Sequence, residues 1–145
     1  MKQKLLISAC LCGKNTKYNG KNNKIPNLEV LENFYDLILV CPEVMGGLST
    51  PRDPSEIKGD LVLSNRGKNV TEYFKSGAYQ TLEIALKYNV EIALLKESSP
   101  SCGVHTIYDG SFTGKKIAGM GITAELLRNN GIKVYSEDEI DILLH

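Results

Sequence analysis

Four short aliphatic runs, separated by helical segments, constrain the fold of this chain more than any other feature. The runs are Lys4–Ala9, Asp36–Val40, Glu91–Lys96 and Lys133–Tyr135. They lack a strict alternation of apolar and polar residues, as is typical of strands covered on both faces. Because strands that alternate with helices form parallel sheets, we predict an α/β fold of Rossmann-like type. The prediction is one three-layer domain over residues 1–145, with a mostly parallel sheet and a site at the carboxyl ends of its strands.

Helices are predicted between these runs. Their expected bounds are Asn27–Tyr35, Val70–Tyr88, Gly121–Asn130 and a last helix after Ser136. The second carries a stripe of apolar and small residues at helical spacing. Asn69 with Glu72, and Ser136 with Glu139, have the spacing of capping pairs.

Two glycine-containing segments interrupt the alternation. Gly46–Gly67 predicts a loop followed by a small hairpin, and Gly103–Gly119 predicts a second flap. Each follows the end of a predicted strand, which is where open α/β sheets bind their ligands.

Charge and hydropathy narrow the class of partner. Lys+Arg and Asp+Glu each number 17, so the net charge is zero and a nucleic-acid partner is not favoured, although a modified RNA stays open. No apolar run approaches the length of a membrane span, and the start MKQKLLISAC fits a buried strand better than a signal peptide. We expect a cytoplasmic protein that acts on a small molecule. Its oligomeric state cannot be predicted.

The cysteines fall at predicted strand ends. Cys10 follows the first strand, Cys41 follows the second, and Cys102 follows the third after a five-residue loop. In a parallel sheet all three thiols would emerge at the carboxyl edge and lie close together. Any single free cysteine is commonly a small buried apolar residue, but three at equivalent positions favour a ligand set. In a reducing compartment such cysteines are more often metal-binding or catalytic than disulfide-bonded.

The spacing leaves the metal undecided. Structural zinc sites usually use close cysteine pairs and four ligands, and here only Cys10 and Cys12 are close. His105 is a candidate fourth ligand, although a histidine beside a loop is more often a surface residue. Iron–sulfur clusters normally have four thiolate ligands, so three would leave one iron open.

The loops around the cysteines carry candidate catalytic and binding groups. Glu43, two residues after Cys41, is a candidate general base, with a solvated loop carboxylate as the alternative. Arg52 could bind an anionic or carbonyl oxygen, or pair with a neighbouring carboxylate. Ser99 and Ser101 could relay a proton or bind substrate, or simply cap turns.

Five segments together resemble the thiouracil desulfidase family, in order and over nearly the whole chain. They are ISACLCGKNTKYNG, VCPEVMGGLSTPRDPSEI, GKNVTEYFKSGA, LKESSPSCG and YDGSFTGKKIAGMGITAELLRNNGI. The resemblance implies a [4Fe–4S] cluster bound by Cys10, Cys41 and Cys102, with the fourth iron open to the sulfur of a thiolated pyrimidine. It also implies catalytic roles for Glu43 and Ser101.

From these loops we further expect Arg52, Ser99 and Gly103 to contact the substrate, a thiolated pyrimidine base or nucleoside. Two positions depart from the family pattern. Cys12 stands where an aliphatic residue is usual, so we predict that it is not a ligand. Lys17 stands where arginine is common, which removes a bidentate donor.

Two other classes of function remain open at this stage. The chain could be a non-catalytic iron–sulfur or zinc protein that senses or carries its metal. It could also be a thiol-redox enzyme that uses Cys10 and Cys12.

Overall fold

The computed structural model describes residues 2–144. In chain order the elements are β1 (Gln3–Ser8), a 3-10 turn (Ala9–Cys12), α1 (Leu28–Phe34), β2 (Tyr35–Val40), α2 (Pro42–Met45), β3 (Ser55–Lys58), β4 (Leu61–Ser64), α3 (Thr71–Lys87), β5 (Ile92–Leu95), β6 (Thr106–Tyr108), β7 (Lys116–Ala118), α4 (Ile122–Asn129), β8 (Lys133–Ser136), a 3-10 turn (Glu137–Glu139) and α5 (Ile140–Leu143).

A parallel sheet with strand order β2-β1-β5-β8 forms the centre of the fold. Leu5 of β1 lies between Leu37 of β2 and Ile92 of β5, which sets the register of the three strands that precede the cysteines. All neighbouring pairs in this sheet are parallel, so their carboxyl ends share one edge. The α/β prediction and the four predicted strands are confirmed.

Apolar side chains cover both faces of the sheet. Leu6 of β1 packs in one cluster with Leu82 of α3 and Leu127 of α4. Its neighbour Leu5 points to the other face and packs with Leu31 of α1 and Leu143 of α5. Because successive side chains of a strand alternate between faces, β1 supplies both cores, and the predicted three layers follow.

Two antiparallel hairpins lie outside the sheet. β3–β4 forms within the first glycine-containing segment and β6–β7 within the second, as predicted. A bridge joins Ser98, just after β5, to Ile107 of β6, so the second hairpin is tied to the loop that carries Cys102.

The predicted helix ends differ in detail from the observed ones. Tyr35 begins β2 instead of closing α1. The capping pair of Asn69 and Glu72 is wrong: Asn69 Oδ1 instead accepts hydrogen bonds from the main chain and hydroxyl of Thr71, and α3 begins at Thr71. The capping box of Ser136 and Glu139 is present. No helix within residues 2–144 is long and apolar enough to cross a membrane.

Candidate functional site

Three of the four cysteines line one cavity at the carboxyl edge of the sheet. Cys10 lies in the 3-10 turn after β1, Cys41 precedes α2 at the end of β2, and Cys102 lies in the loop after β5. The cavity has a volume of about 450 Å³. Parallel strand direction therefore brings together thiols that lie up to 92 residues apart in the sequence (102 − 10).

Close packing of α2 against α3 positions Cys41 and Glu43. Pro42 opens α2, where the fixed φ of proline suits the first helical residue. The Pro42 carbonyl lies over Gly77 of α3, and a Cβ at Gly77 would approach that oxygen to 1.8 Å. Glycine at this point of α3 lets the short helix reach the sheet edge, so any larger residue would displace Glu43 from the cavity.

A single carboxylate organises the loop around Cys102. Glu97 Oε1 accepts four main-chain hydrogen bonds, at 2.8–3.1 Å, from the N–H groups of Ser98, Val104, His105 and Thr106. Burial raises the pKa of Glu97, but the hydrogen bonds to its ionised form outweigh burial and lower the pKa overall. The charged form of Glu97 thus holds both flanks of Cys102.

Glu43 occupies the cavity wall with its two oxygens in different roles. Oε1 accepts a hydrogen bond from Arg52 Nε at 3.0 Å, and Oε2 accepts one from Ser99 Oγ at 3.4 Å. The Arg52 and Glu43 side chains are 7% and 17% exposed, so this ion pair is largely shielded from water. The carboxylate is held in one orientation beside the thiols, as a general base requires.

Arg52 lines the cavity, but most of its donors are used within the protein. Nη2 donates to the Thr16 carbonyl at 2.8 Å, and Nη1 donates to the Ser49 carbonyl and the Thr50 hydroxyl. The contacts of Arg52 that the structure shows orient Glu43, and its contact with substrate stays a prediction.

The two candidate serines point in different directions. Ser99 lines the cavity, and its Oγ accepts the main-chain N–H groups of Ser101 and Cys102 at 3.1 and 3.0 Å while it donates to Glu43. Ser101 is fully buried, and its hydroxyl pairs with Thr123 Oγ1 of α4 at 2.8 Å. Ser101 is not among the residues of the cavity wall, so of these two serines it is Ser99 whose hydroxyl lines the cavity.

Gly103 also lies behind the cavity wall. Its N–H donates to the Ser99 carbonyl at 2.8 Å, and a Cβ there would lie 2.7 Å from the same oxygen. The predicted substrate contact by Gly103 has no support in this geometry. Its position instead allows the tight turn that directs Cys102 towards the cavity.

Burial raises the pKa of two of the cavity thiols, those of Cys102 and Cys10. It raises the pKa of Cys102 far above the usual range, despite a hydrogen bond from Ser8. Burial also raises the pKa of Cys10, although a hydrogen bond from Asn23 Nδ2 to its Sγ works in the other direction. A bound metal would favour the thiolates and compensate for their burial.

Cys12 and His105 do not lie on this cavity wall. Cys12 packs with the core on the α1 side, and burial followed by the nearby Glu32 raises its pKa to about 11. His105 is exposed and its Nε2 bonds to Glu139 Oε1 at 2.6 Å. The thiols on the cavity wall are those of Cys10, Cys41 and Cys102, and that Cys12 is not a ligand stays a prediction.

Two observations test whether the cavity suits an iron–sulfur cluster. Within residues 2–144, no three His, Cys, Asp or Glu side chains converge closely enough to bind one metal ion. A cluster requires less convergence, because each thiolate binds a different iron. Among the same residues, Thr16 Oγ1 is the buried side-chain oxygen without a hydrogen-bond partner, and Thr16 lines the cavity. Three thiols and an unpaired hydroxyl on one cavity wall are compatible with a bound iron–sulfur cluster.

Several cavity residues were not predicted from the sequence. They are Thr16, Tyr18, Asn23, Glu56, Lys96, Glu97, Tyr108 and Phe112. The YDGSF and KNTKYN segments gave a partial signal, because turn-rich segments after strand ends commonly carry binding residues. No local pattern identified Glu56, whose partners Gly110 and Phe112 lie 54 and 56 residues away. Glu97 was also missed, although the main-chain groups that it binds lie within nine residues along the same loop.

Comparison with known proteins agrees with this geometry. The profile of the 2-thiouracil desulfurase family matches residues 5–139. YbbK, described as an uncharacterized protein of Bacillus subtilis strain 168, is 40% identical over 97% of this chain and 99% of its own length. The solved structure of the [4Fe-4S]-dependent thiouracil desulfidase TudS superposes with a TM-score of 0.94 and 44% identity, covering 98% of this chain and 95% of TudS. The chain therefore belongs to the 2-thiouracil desulfurase family, as the resemblance of its motifs predicted.

Proposed function

We propose that this protein is a desulfidase that replaces the sulfur of a thiolated pyrimidine by oxygen and releases sulfide. In this proposal a [4Fe–4S] cluster is bound by Cys10, Cys41 and Cys102, and residues 1–145 act as one desulfidase domain. The overall reaction converts C=S and water into C=O and hydrogen sulfide, so no electron donor or acceptor is needed. The observation that carries the proposal is that three thiols and an oriented carboxylate line one cavity.

The thiols supply the cluster site, and one open iron would supply the reactive centre. When bound by these three cysteines alone, a cluster would offer one open iron as a Lewis acid for the substrate sulfur. Cys12 is half-buried against the core on the α1 side and, unlike Cys10, does not line the cavity. A fourth thiolate would close the site to substrate.

Glu43 is the proposed general base. Arg52 binds Oε1, and Oε2, which accepts one hydrogen bond from Ser99, keeps a lone pair to accept a proton from the water that attacks the thiocarbonyl carbon. General-base catalysis of this kind contributes typically about 10²–10⁴ in rate. Because the ion pair already holds the Glu43 carboxylate in one orientation, little further conformational entropy is lost when substrate binds.

Ser99 takes the proton-handling role that the family resemblance assigned to Ser101. Its oxygen accepts two main-chain N–H groups, which leaves its own proton directed to Glu43 Oε2. A hydroxyl polarised in this way can pass a proton between the carboxylate and a leaving group in the cavity. Ser101 then stabilises the loop through Thr123 and does not take part in the chemistry.

The substrate is proposed to be a free base or nucleoside. The zero net charge gives no general attraction for a polyanion, so a modified RNA is the less favoured substrate.

The proposed location of the protein is the cytoplasm. All four cysteines are free thiols, which a reducing compartment maintains.

The competing function is a non-catalytic iron–sulfur or zinc protein that carries or senses its metal. Anaerobic reconstitution followed by assay of sulfide release from 2-thiouracil distinguishes the two. We expect stoichiometric release of sulfide and uracil by the unaltered protein and a severe loss of rate in Glu43→Gln with the cluster retained. If the protein binds the cluster but releases no sulfide from 2-thiouracil, the carrier or sensor function is supported. If it binds stoichiometric zinc and contains no acid-labile sulfide, the proposed iron–sulfur cluster is wrong.

A further inference from the structure

The tip of the β6–β7 hairpin presents an aromatic ring to the cavity. Phe112 lies in the turn between these strands, lines the cavity together with Tyr108, and is 38% exposed. A phenylalanine in a hairpin turn contributes little to the fold unless its ring is buried. Exposure beside the cavity that contains the three thiols points to a contact with a bound molecule.

The backbone of Phe112 adopts an uncommon conformation. Its φ of 58° lies in the left-handed region, which a bulky side chain rarely occupies. Such conformations persist where surrounding contacts impose them, and they cluster at ligand sites.

A buried carboxylate of the other hairpin imposes this conformation. Glu56 of β3 is 9% exposed, and its Oε1 accepts the main-chain N–H groups of Gly110 at 3.0 Å and of Phe112 at 3.1 Å. Both hydrogen bonds end on one oxygen atom and together span the turn from residue 110 to residue 112. Glu56 therefore fixes the backbone of the turn from which the Phe112 side chain projects.

The base of the hairpin is anchored to the thiol-bearing loop. Ser98 forms a single parallel β-bridge with Ile107, and its hydroxyl pairs with Thr106 Oγ1 at 2.9 Å. Glu97 binds the main chain at Val104, His105 and Thr106. With its base tied to the Cys102 loop and its tip tied to β3, the hairpin holds Phe112 at a set position in the cavity wall.

We propose that Phe112 is a specificity-determining residue whose ring stacks on the substrate pyrimidine, and that Glu56 is the positioning residue that holds it there. This inference rests on the proposed desulfidase function and adds to it the contact that selects a planar heterocycle. A thiolated pyrimidine offers a flat, polarisable face, and stacking on an aromatic side chain recognises that face regardless of the substituents on the ring.

The first test is the kinetics of Phe112→Ala in the cluster-loaded enzyme. Stacking that is equal in the ground and transition states affects binding alone, so KM for 2-thiouracil should rise about tenfold while kcat stays within about twofold. Phe112→Leu, which keeps an apolar side chain without a flat ring, should show most of the same rise. Phe34→Ala removes a 53% exposed phenylalanine of α1 away from the cavity and should leave both constants unchanged. An unchanged KM in Phe112→Ala overturns the inference.

A binding probe avoids dependence on turnover. The chain contains no tryptophan, so Phe112→Trp introduces a single indole at the proposed stacking position. Uracil, the expected product, should quench its fluorescence saturably in the cluster-loaded protein. Tyr79→Trp, on an exposed face of α3, should show no saturable quenching. Absence of quenching at position 112 argues against stacking.

The role of Glu56 is tested by rescue. Glu56→Ala should reproduce the rise in KM with little change in kcat, and Glu56→Gln, which keeps an acceptor oxygen, should restore most of the affinity. Iron content is measured for each variant, so that a collapsed site is not mistaken for lost stacking. An equal KM in Glu56→Ala and the unaltered enzyme removes Glu56 from the proposal.

These outcomes separate the inference from the proposed function. If the unaltered enzyme releases sulfide normally and Phe112→Ala does so with the same KM, the function stands and stacking is wrong. If the unaltered enzyme releases no sulfide, the proposed function fails. In that case, quenching of the Phe112→Trp fluorescence by uracil still tests whether a pyrimidine stacks at this position, because the measurement does not depend on turnover.

Discussion

Arg52 Nε lies 3.0 Å from Glu43 Oε1, in an ion pair whose side chains are largely shielded from water. The same guanidinium binds the Thr16 carbonyl, to which Cys41 Sγ also donates at 3.8 Å. The candidate base, the loop after β1 and one candidate cluster ligand are thus joined through a single arginine. Disturbing this arginine should alter the chemistry without removing a thiol.

We predict that Cys10, Cys41 and Cys102 are each required for the cluster and that Cys12 is not. Substitution of any of the three by alanine leaves fewer thiolates at the cavity wall, so iron and acid-labile sulfide should fall severely after anaerobic reconstitution. Cys12→Ala is the matched control and should keep the full content of both. Loss of the cluster in Cys12→Ala would mean that Cys12 is a fourth ligand.

Glu43→Gln should lower kcat by about 10²–10⁴ at unchanged iron content, because the amide keeps the shape of the side chain but cannot accept the proton. Single-turnover release of sulfide from 2-thiouracil measures the chemical step directly. A variant that retains the full rate would assign the base to another group.

Arg52→Lys should lower kcat at least about tenfold, because an ammonium group cannot replace the planar set of donors that binds Glu43 and Thr16 together. Arg66→Lys is the control: Arg66 pairs with Asp53 at 3.4 Å on the exposed surface, where ion pairs contribute little. Equal activity of the two variants would contradict a positioning role for Arg52.

Ser99→Ala and Ser101→Ala should affect different properties. Ser99→Ala removes the hydroxyl beside Glu43 and should lower kcat. Ser101→Ala leaves the buried Thr123 hydroxyl without its partner, so it should lower the free energy of unfolding by about 1–3 kcal/mol. Urea unfolding and steady-state kinetics of both variants provide the comparison. The reverse pattern would restore Ser101 as the catalytic serine.

Glu97 should make the stability of the fold dependent on pH. The pKa of this carboxyl is lower in the folded state than its ordinary value of 4.5, so its contribution is present above that value and is lost as pH falls through the folded pKa. Glu97→Gln should therefore be less stable than the unaltered protein near neutral pH, and the difference should shrink below about pH 4.5.

Chemical denaturation with the thiols kept reduced, from about pH 7 to about pH 3, measures this difference. Glu83→Gln, on the exposed face of α3, serves as the control and should show no such convergence. A stability difference for Glu97→Gln that is independent of pH would rule out the proposed contribution of the ionised carboxylate.

The aliphatic runs were sufficient to predict the sheet and the edge at which its thiols meet. Leu5, Leu6 and Ile7 follow one another without polar interruption, which only a strand covered on both faces accommodates. Parallel direction then places Cys10, Cys41 and Cys102 at one edge. The motifs around them predicted the family, and the comparisons confirm it.

The direction of individual side chains could not be predicted in the same way. Ser99 and Ser101 are two residues apart in one motif, yet one lines the cavity and the other packs under α4. The two hydroxyls have different partners: that of Ser101 pairs with Thr123 of α4, and that of Ser99 donates to Glu43. Spacing within a turn does not predict which hydroxyl remains accessible.

Sequence alone therefore determined the strands, their common edge and the set of thiols, since these follow from hydrophobic periodicity and main-chain direction. Tertiary structure decided that Arg52 orients Glu43, that Ser99 faces the thiols, and that Glu56 holds Phe112. Glu43 and Ser99 are 56 residues apart, as are Glu56 and Phe112. Contacts between residues so far apart form only when the loops pack against one another in the folded protein. A local sequence pattern therefore does not predict them.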